Sequence, residues 1–481
     1  MRRPLLLAAV LSVLVFAGCG SSTGGPRTTE LSYFPSGTPF VLTVQTDPNS
    51  TAVKNGQALL GRFPIVAFGE SALMSRLAQI GINYQSDVRP LFGNPAALGV
   101  GTTSVSGGSA RSSFLGVWVT KDASKLSSLI KKSGLHSSGT HDGATIYRGS
   151  GGSALAVDGA TAIIGSSSSV ISQALDRHSS GSGMKSSEID QDLKGLPQNS
   201  LMEAVGNLSG VLSSSRASQA QQIPWVAAIR GYGASISASG SGLTFSYRVD
   251  TGGRSLSASQ LPIAPGSSAP SFAGGGPIAF ALNNPAQLVT FVENAEQSTS
   301  PSKYSQFQRR QSALRSKTGA DLNSLLKLLT GTAALSSDTR TTVARVGVSD
   351  AGKASQVLSK LMSDPGAAFG GGTTAHSLGG GFYHLKERKT TLTIGVVANQ
   401  LVVGRASHIQ LQAFAGAPST AASGAKGSLA FRVSLPQLLQ LALKRTPSKT
   451  IQTVLGSLGD YTGWTASSPS GLTGSATLGL K

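Results

Sequence analysis

The most reactive side chain in this sequence is the thiol of Cys19, the only cysteine among 481 residues. One thiol cannot form a disulfide within the chain, and it cannot build a zinc site of the multi-cysteine kind. Stability therefore has to come from packing. What remains for Cys19 is chemistry on its own sulfur, as a nucleophile or as the acceptor of a covalent group.

The residues before Cys19 indicate which chemistry this is. Arg2 and Arg3 precede an apolar run over residues 5–16, and two small residues then lead to the cysteine. A short apolar run behind a positive start is typical of a secretory signal peptide and is too short to span a membrane. We predict a signal peptide over residues 1–18.

Residues 15–19, with the sequence Val-Phe-Ala-Gly-Cys, resemble the lipobox of bacterial lipoproteins. The resemblance implies cleavage before Cys19, a diacylglyceryl thioether on its sulfur and anchoring at the outer face of the cytoplasmic membrane. The residues that follow are rich in Gly and Ser, which favours a flexible tether between anchor and folded body. We therefore expect a spacer over residues 19–30.

Candidate catalytic residues are sparse. His141 stands beside Asp142, and His376 occupies a comparable place later in the chain. An imidazole oriented by a carboxylate can act as a base or as a metal ligand, although adjacent loop residues rarely point at one target. No strand–turn–helix nucleophile motif accompanies them. We predict no catalytic, cofactor-binding or metal-binding residue and no cofactor, and a hydrolase using His141 or Asp142 stays open as an alternative.

Two aspartates recur at corresponding places. Asp122 and Asp350 each precede a run with helical apolar periodicity, and each is followed three residues later by a lysine. A carboxylate in that position accepts the free N–H groups of a first helical turn. We interpret both as N-caps, not as a catalytic pair.

The charge balance is basic, with 40 Lys and Arg against 21 Asp and Glu and a net charge of +19. Removal of Arg2 and Arg3 with the signal peptide leaves 38 against 21, which is +17. Such a charge favours anionic lipids or wall polymers as partners. Nucleic acid is excluded because the chain is exported and its basic residues are scattered. One cluster (Arg309, Arg310, Arg315 and Lys317) lies on a predicted helix, where it either meets anionic headgroups or simply faces solvent.

The chain also resembles itself at long range. Gly276-Pro277-Ile278 repeats the pattern of residues 38–40, and Asp350 follows Asp122 by 228 positions. Further matches join Tyr383 to Tyr147 and residues 466–473 to residues 238–244. Matches in one order at a nearly constant offset indicate duplication of a domain, not a short-repeat solenoid.

Short alternating runs with hairpin turns, interrupted by amphipathic helices, predict the α+β class. The predicted architecture is two tandem homologous halves, each a mainly antiparallel sheet with helices packed on one face. The first repeat covers residues 31–250, the linker 251–270 and the second repeat 271–481. A helix over about residues 168–176 and a Ser/Gly-rich loop over residues 178–187 are expected within the first repeat.

The opening Tyr33-Phe34-Pro35 and the strand behind it, restated near residues 275–280, resemble a family of uncharacterised secreted actinobacterial proteins catalogued as a domain of unknown function. The resemblance covers residues 31–481 and implies no activity or site residues. Our leading interpretation is a non-enzymatic binding or scaffold protein, lipid-anchored outside the cell. The alternatives are the hydrolase and a lipid carrier with an acyl cavity, and the oligomeric state is not predicted.

Overall fold

The structure is a computed structural model that describes residues 27–62, 71, 74–101, 113–149, 152–212, 218–254, 256–266, 268–338, 340–442, 452 and 456–481. Two compact units are present. The first comprises the described residues up to 213 together with 230–250, and the second comprises 214–229 and 251–479. Among the described helices, none has both the length and the apolar character needed to cross a bilayer.

The first unit is built on a sheet of ten antiparallel strands. Their order across the sheet is β4-β5-β6-β7-β3-β2-β1-β8-β9-β10. The bounds are β1 Phe40–Val44, β2 Ala96–Gly101, β3 Ser113–Val119, β4 Ser137–His141, β5 Ala144–Arg148, β6 Ala154–Asp158, β7 Thr161–Gly165, β8 Met202–Asn207, β9 Gly231–Ser239 and β10 Gly242–Asp250.

The helices of the first unit are α1 Arg27–Leu31, α2 Thr51–Leu60, α3 Ala123–Ser133, α4 Ser168–Ser180, α5 Ser186–Asp192 and α6 Ser209–Leu212. A π-turn at Tyr84–Val88 and a 3₁₀ turn at Arg89–Leu91 precede β2.

The expectation of helices on one face is wrong for this unit. On one face Ile163 packs in the same core cluster as Ile171 of α4. On the other, Ile164 shares a cluster with Leu126 of α3. Adjacent residues of a strand point to opposite faces, so the all-buried strand β7 needs cover on both. Its sequence, Thr-Ala-Ile-Ile-Gly, has no charged residue and no polar–apolar alternation, which is typical of a strand buried on two sides.

The second unit contains strands β12 Ile278–Asn283, β13 Leu329–Ser337, β14 Thr342–Val348, β15 Thr373–Gly379, β16 Phe382–Glu387, β17 Thr390–Val397, β18 Gln400–Arg405, β20 Leu429–Ser434, β21 Leu458–Ser468 and β22 Gly471–Leu480. Their order is β15-β16-β17-β18-β14-β13-β12-β20-β21-β22. The short strands β11 Ser271–Ala273 and β19 Ser419–Ala421 form a separate pair.

The helices of the second unit are α7 Pro224–Ala228, α8 Pro285–Thr299, α9 Pro301–Thr318, α10 Leu322–Leu326, α11 Ala351–Ser363, α12 Pro365–Phe369, α13 His408–Ala415 and α14 Leu435–Ala442. Here too both faces are covered. Leu358 of α11 clusters with Ile394, whereas Leu411 of α13 clusters with Val402 on the opposite face. Single 3₁₀ turns lie at Ala220–Gln222 and Ala258–Gln260.

The two units share one strand order. In each unit three strands lie side by side, beginning with β1 in the first unit and with β12 in the second. A four-strand meander continues the sheet beyond the third of these strands. Three later strands continue the sheet beyond β1 or β12 on the other side. Asp122 and Asp350 cap corresponding helices, accepting hydrogen bonds from the backbone N–H of Lys125 at 3.0 Å and of Lys353 at 2.8 Å. The N-cap interpretation of both aspartates is confirmed.

Two local expectations differ from the structure. Residues 27–30 were expected in the spacer, yet they belong to α1, where Glu30 is fully buried. The loop expected over residues 178–187 is shorter, because α4 continues to Ser180 and α5 begins at Ser186. Ser and His have only modest helix propensity, and packing of Ile171, Ala174 and Leu175 against the sheet overrides it.

Candidate ligand-binding face

One face of the second sheet is apolar and incompletely covered. Cross-strand pairing brings Phe280 opposite both Leu335 and Phe431. Directly opposed residues of antiparallel strands share a face, so the same register assigns a whole set of side chains to it. We call this set the aromatic face; its members are Ile278, Phe280, Leu282, Leu335, Leu429, Phe431, Val433 and Tyr461.

Aromatic rings form the centre of this face. The ring centroids of Phe280 and Phe431 lie 6.2 Å apart, and those of Phe431 and Tyr461 lie 5.2 Å apart. These spacings fall in the range of favourable aromatic pairs. Phe280 is nevertheless 42% exposed and Tyr461 36% exposed, and no other member of the aromatic face is fully buried. Three strands thus carry a row of rings with one side open.

The opposite side of the same strands is closed. Ala279, Ala281 and Ala430 are buried there in a cluster with Phe272, and the guanidinium of Arg432 lies 5.5 Å from the ring centroid of Phe272. The alanines allow close packing on that side, although Arg432 and, opposite Ala430, Trp464 also lie there. The two sides carry different residues because side chains alternate strictly along a strand.

Two apolar helices adjoin these strands without burying their own residues. Helix α8 packs against β13, and α14 packs against β20 and β21. No residue of α8 is buried, and no described residue of α14 is buried, although four of the eight residues of α14 are leucines. Helices of globular proteins ordinarily bury their apolar stripe. Both helices therefore leave apolar residues of their own exposed, namely Leu288 and Val292 of α8 and Leu441 of α14.

The matching strands of the first unit are better covered. Phe245 is 42% exposed and stacks on Tyr247 with ring centroids 5.9 Å apart. Helix α2, however, packs against β9 and buries Val53 and Leu59. The first unit therefore offers exposed apolar residues but lacks the row of three rings.

His141 pairs with another carboxylate than Asp142, the neighbour that the hydrolase alternative considered. Nε2 of His141 lies 2.7 Å from Oδ1 of Asp176 on α4, and Asp142 occupies a tight turn with φ of 48°. Both partners are substantially exposed, at 36% for His141 and 62% for Asp176. His376 lies opposite His384 in the β15–β16 hairpin, where Nδ1 of His384 is 3.2 Å from the hydroxyl of Thr393.

A serine–histidine contact was missed by sequence reasoning. Oγ of Ser32 lies 2.5 Å from Nδ1 of His178, and the ring of Tyr33 stacks on the imidazole at 4.2 Å. The same hydroxyl lies 2.6 Å from the carbonyl of Thr29, which can only accept a hydrogen bond and therefore competes with Nδ1 of His178 for the one hydroxyl proton. The contact joins the segment that follows α1 to helix α4.

Two carboxyl groups of the first unit carry raised pKa values. Burial raises the pKa of Glu30 to about 7, and neither oxygen of Glu30 has a hydrogen-bond partner. Burial, followed by the negative charge of Asp250, raises the pKa of Asp192 to about 7. Isolated buried acids of this kind are stability liabilities unless they are functional, and no base or nucleophile contact is seen beside Glu30 among the described residues.

Metal binding has no support in the described part of the chain, where His, Cys, Asp and Glu do not form a group of three or more that could hold an ion.

The four residues of the predicted basic cluster fall into two pairs, one with carboxylate partners and one exposed to solvent. Lys317 pairs with Asp364 at 2.7 Å, and Arg315 lies 3.9 Å from Asp321. Arg309 and Arg310 are exposed on α9. The predicted lipidation site Cys19, like the rest of residues 1–26, lies outside the described residues.

Comparisons with known proteins give a family but no activity. A family model described as "Protein of unknown function (DUF3352)" matches residues 5–364. Among curated proteins there is no significant match. Crystal forms III, IV and I of TP0453 align with TM-scores of 0.27, 0.26 and 0.24, at 10%, 10% and 11% identity. The alignments cover 49%, 47% and 47% of this chain and 84%, 81% and 78% of that protein, and scores this low carry no argument.

Proposed function

Because the chain belongs to the family described as protein of unknown function (DUF3352), which brings no activity with it, we propose a function from the geometry. The protein is a non-enzymatic binding protein, held at the outer face of the cytoplasmic membrane by an acyl group on Cys19. Its aromatic face takes the hydrocarbon part of an amphiphilic lipid. The proposal combines two interpretations made from the sequence, the envelope binding protein and the lipid carrier, but it replaces the acyl cavity expected for the carrier with an open face.

The aromatic face is the single observation that carries this proposal. Leaving apolar surface in water costs about 25 cal/mol per Å², and soluble proteins rarely keep large contiguous apolar patches without a use for them. The named members of this face offer one hydroxyl, that of Tyr461, and the same register adds the hydroxyls of Ser337 and Thr465; the remaining lining is hydrocarbon. A polar ligand would find too few hydrogen-bond partners there, whereas an acyl chain needs none. The chemistry of the lining thus favours a hydrocarbon ligand.

A hydrolase is less well supported. Its candidate base, His141, is engaged by an exposed carboxylate on the surface of the first unit. In the Ser32–His178 contact, the carbonyl of Thr29 competes with the imidazole for the hydroxyl proton.

We also propose that the two units arose by duplication of one domain. Several sequence motifs recur at nearly the offset that separates Asp122 from Asp350, and the two units have a common strand order. Both observations support this origin. After duplication the copies would have diverged at equivalent places of the sheet. Ala204 of β8 pairs with β1 at the position where Phe431 of β20 pairs with β12. Ala204 is thus the equivalent of Phe431, so the second unit alone acquired the ring. Ligand binding would then be a property of the second copy.

The proposal predicts that substitution of the central rings weakens lipid binding. Phe280→Ser with Phe431→Ser removes two half-buried phenyl groups, each contributing about 1 kcal/mol to holding a chain, so affinity should fall about thirtyfold. The measurement is displacement of a fluorescent fatty acid from the mature chain, residues 19–481, carrying Cys19→Ser so that no acyl group competes. Mass spectrometry of lipids that co-purify with the same protein identifies the natural ligand class.

The matched control is Phe245→Ser in the first unit. Phe245 and Phe280 are equally exposed, at 42%, so the two substitutions remove the same kind of surface ring. Only the second-unit variants should lose binding. Equal losses from both would indicate non-specific adhesion, and unchanged binding in the Phe280 and Phe431 variant would refute the proposed ligand face. Circular dichroism of each variant shows whether the fold is retained.

A further inference from the structure

Helices α8 and α9 follow each other in the second unit, joined at Ser300 and in contact, and we call the pair the α8–α9 hairpin. Leu288 and Val292 of α8 are 40% and 49% exposed. Residues four apart lie one above the other on a helix, so these two side chains form one apolar stripe. This stripe faces solvent and is distinct from the aromatic face of the sheet.

The second helix of the hairpin supplies positive charge. Helix α9 contains five basic residues and no acidic residue over its 18 positions. Lys317 and Arg315 lie within 4.0 Å of carboxylates, but Lys303, Arg309 and Arg310 are exposed and have no carboxylate within that distance among the described residues. Three cations thus remain available to an external partner.

Acidic residues only partly offset this charge. Helix α8 carries Glu293 and Glu296, so the hairpin has five basic residues against two acidic ones, a formal charge of +3. Glu293 is partly buried, and this burial raises its pKa, which favours its neutral form. Glu296 is exposed one turn beyond Val292.

We propose that the α8–α9 hairpin docks on an anionic lipid bilayer. Lys303, Arg309 and Arg310 would contact the headgroups while Leu288 and Val292 enter the boundary between headgroups and acyl chains. A surface that combines an apolar stripe with unpaired cations is the combination that interfacial helices use. A soluble polyanion would attract the cations, but it would offer no hydrocarbon for the apolar stripe to contact. The inference does not rest on the proposed function, since neither helix contributes a residue to the aromatic face.

The test is flotation of the mature chain, residues 19–481 with Cys19→Ser, on vesicles of phosphatidylcholine with and without phosphatidylglycerol. We expect binding to the anionic vesicles that weakens as salt is added, because salt screens charges near a surface. Replacing Lys303, Arg309 and Arg310 together by Gln should reduce binding about a hundredfold, at about one kcal/mol for each charge.

A matched control removes the same charge elsewhere in the unit. Lys386, Arg388 and Lys389 are exposed at the turn between β16 and β17, and their replacement by Gln lowers the net charge equally. This variant should keep most of the vesicle binding. Equal losses in the two triple variants would overturn the proposal, since the effect would then come from net charge alone.

A second pair of substitutions separates a membrane from a soluble polyanion. Leu288→Ser with Val292→Ser leaves every charge in place and should weaken binding to anionic vesicles while binding to soluble polyphosphate is unchanged. Both residues are exposed, so the fold should tolerate the change. Undiminished vesicle binding in this variant would show that charge alone attracts the protein and would refute docking through the apolar stripe.

Discussion

Glu30 shows how one residue links the start of the folded body to solution pH. Its side chain is 1% exposed, and its oxygens have no partner. Helix α1 places it against the sheet, next to the residues Leu31, Tyr33 and Phe34 that anchor the segment in the core. An ionised carboxylate in such a place lacks both water and a counter-charge, so the neutral acid is favoured and its pKa rises to about 7.

Stability should therefore fall as the pH rises through the neutral range. The folded state holds the proton of Glu30 up to about pH 7, whereas the unfolded chain releases it near the ordinary value of 4.5. Between these values the folded state binds more protons, so the free energy of unfolding decreases with pH, by about 3 kcal/mol in total, and is constant above the folded pKa.

Glu30→Gln should remove this dependence. At about pH 8 the variant should be more stable than the parent by up to about 3 kcal/mol, and near about pH 4 the difference should vanish. Denaturant unfolding at the two pH values measures both effects. Asp192 titrates in the same direction in both proteins, so it cancels from the comparison. Glu387→Gln, at an exposed position, should leave the pH profile unchanged; a shift there equal to that of Glu30→Gln would contradict the explanation.

At the scale of elements, helix ends decide where loops begin. Helix α4 stops at Gly181, whose φ of 66° is in the left-handed region and whose N–H bonds back to the carbonyl of His178. Glycine adopts this conformation without a Cβ clash, so it ends helices readily. The sequence contains this signal, which identifies the true boundary of the helix that propensity alone placed near residue 176.

Gly181→Ala should destabilise the first unit by about 1 kcal/mol, because an L residue is strained in the left-handed region. Gly181→Asn should be milder, since Asn tolerates that region better. Thermal unfolding followed by circular dichroism measures the changes.

Gly275→Ala is the matched control for the Gly181 substitution. Both glycines have open space where a Cβ would be, but only Gly181 has a positive φ. Comparable losses at the two positions would show that φ is not the cause.

At the scale of the whole molecule, two units share one strand order, and the predicted signal peptide and lipidation site precede them in the sequence. If Cys19 carries the anchor, Cys19→Ala should abolish incorporation of a labelled fatty acid, because the thioether cannot form. The protein should also leave the detergent phase on phase separation, since stable membrane attachment needs acyl chains. Retained label together with retained partitioning would refute the anchor at Cys19.

Much of this architecture could be predicted from the sequence, since its signals are local. The Asp caps of α3 and α11, the hairpin turn at Asp158-Gly159 and the alternating strands all depend on neighbours within a few residues. These local signals identified the α+β class with its largely antiparallel sheet, and the spacing of repeated motifs raised the idea of two halves. The strand order common to both units supports that idea and leaves duplication as our proposal.

Contacts between distant residues were decided by the tertiary structure alone. Phe280 and Phe431 are 151 positions apart, and only the pairing of β12 with β20 puts their rings on one face. His141 was read with its neighbour Asp142, yet the fold turns it towards Asp176. The helices cover both faces because β7 is buried at every position, and which helix covers which face depends on the path of the chain. Local preferences set the elements, while burial and register, which are cooperative and long-range, set the surfaces on which function depends.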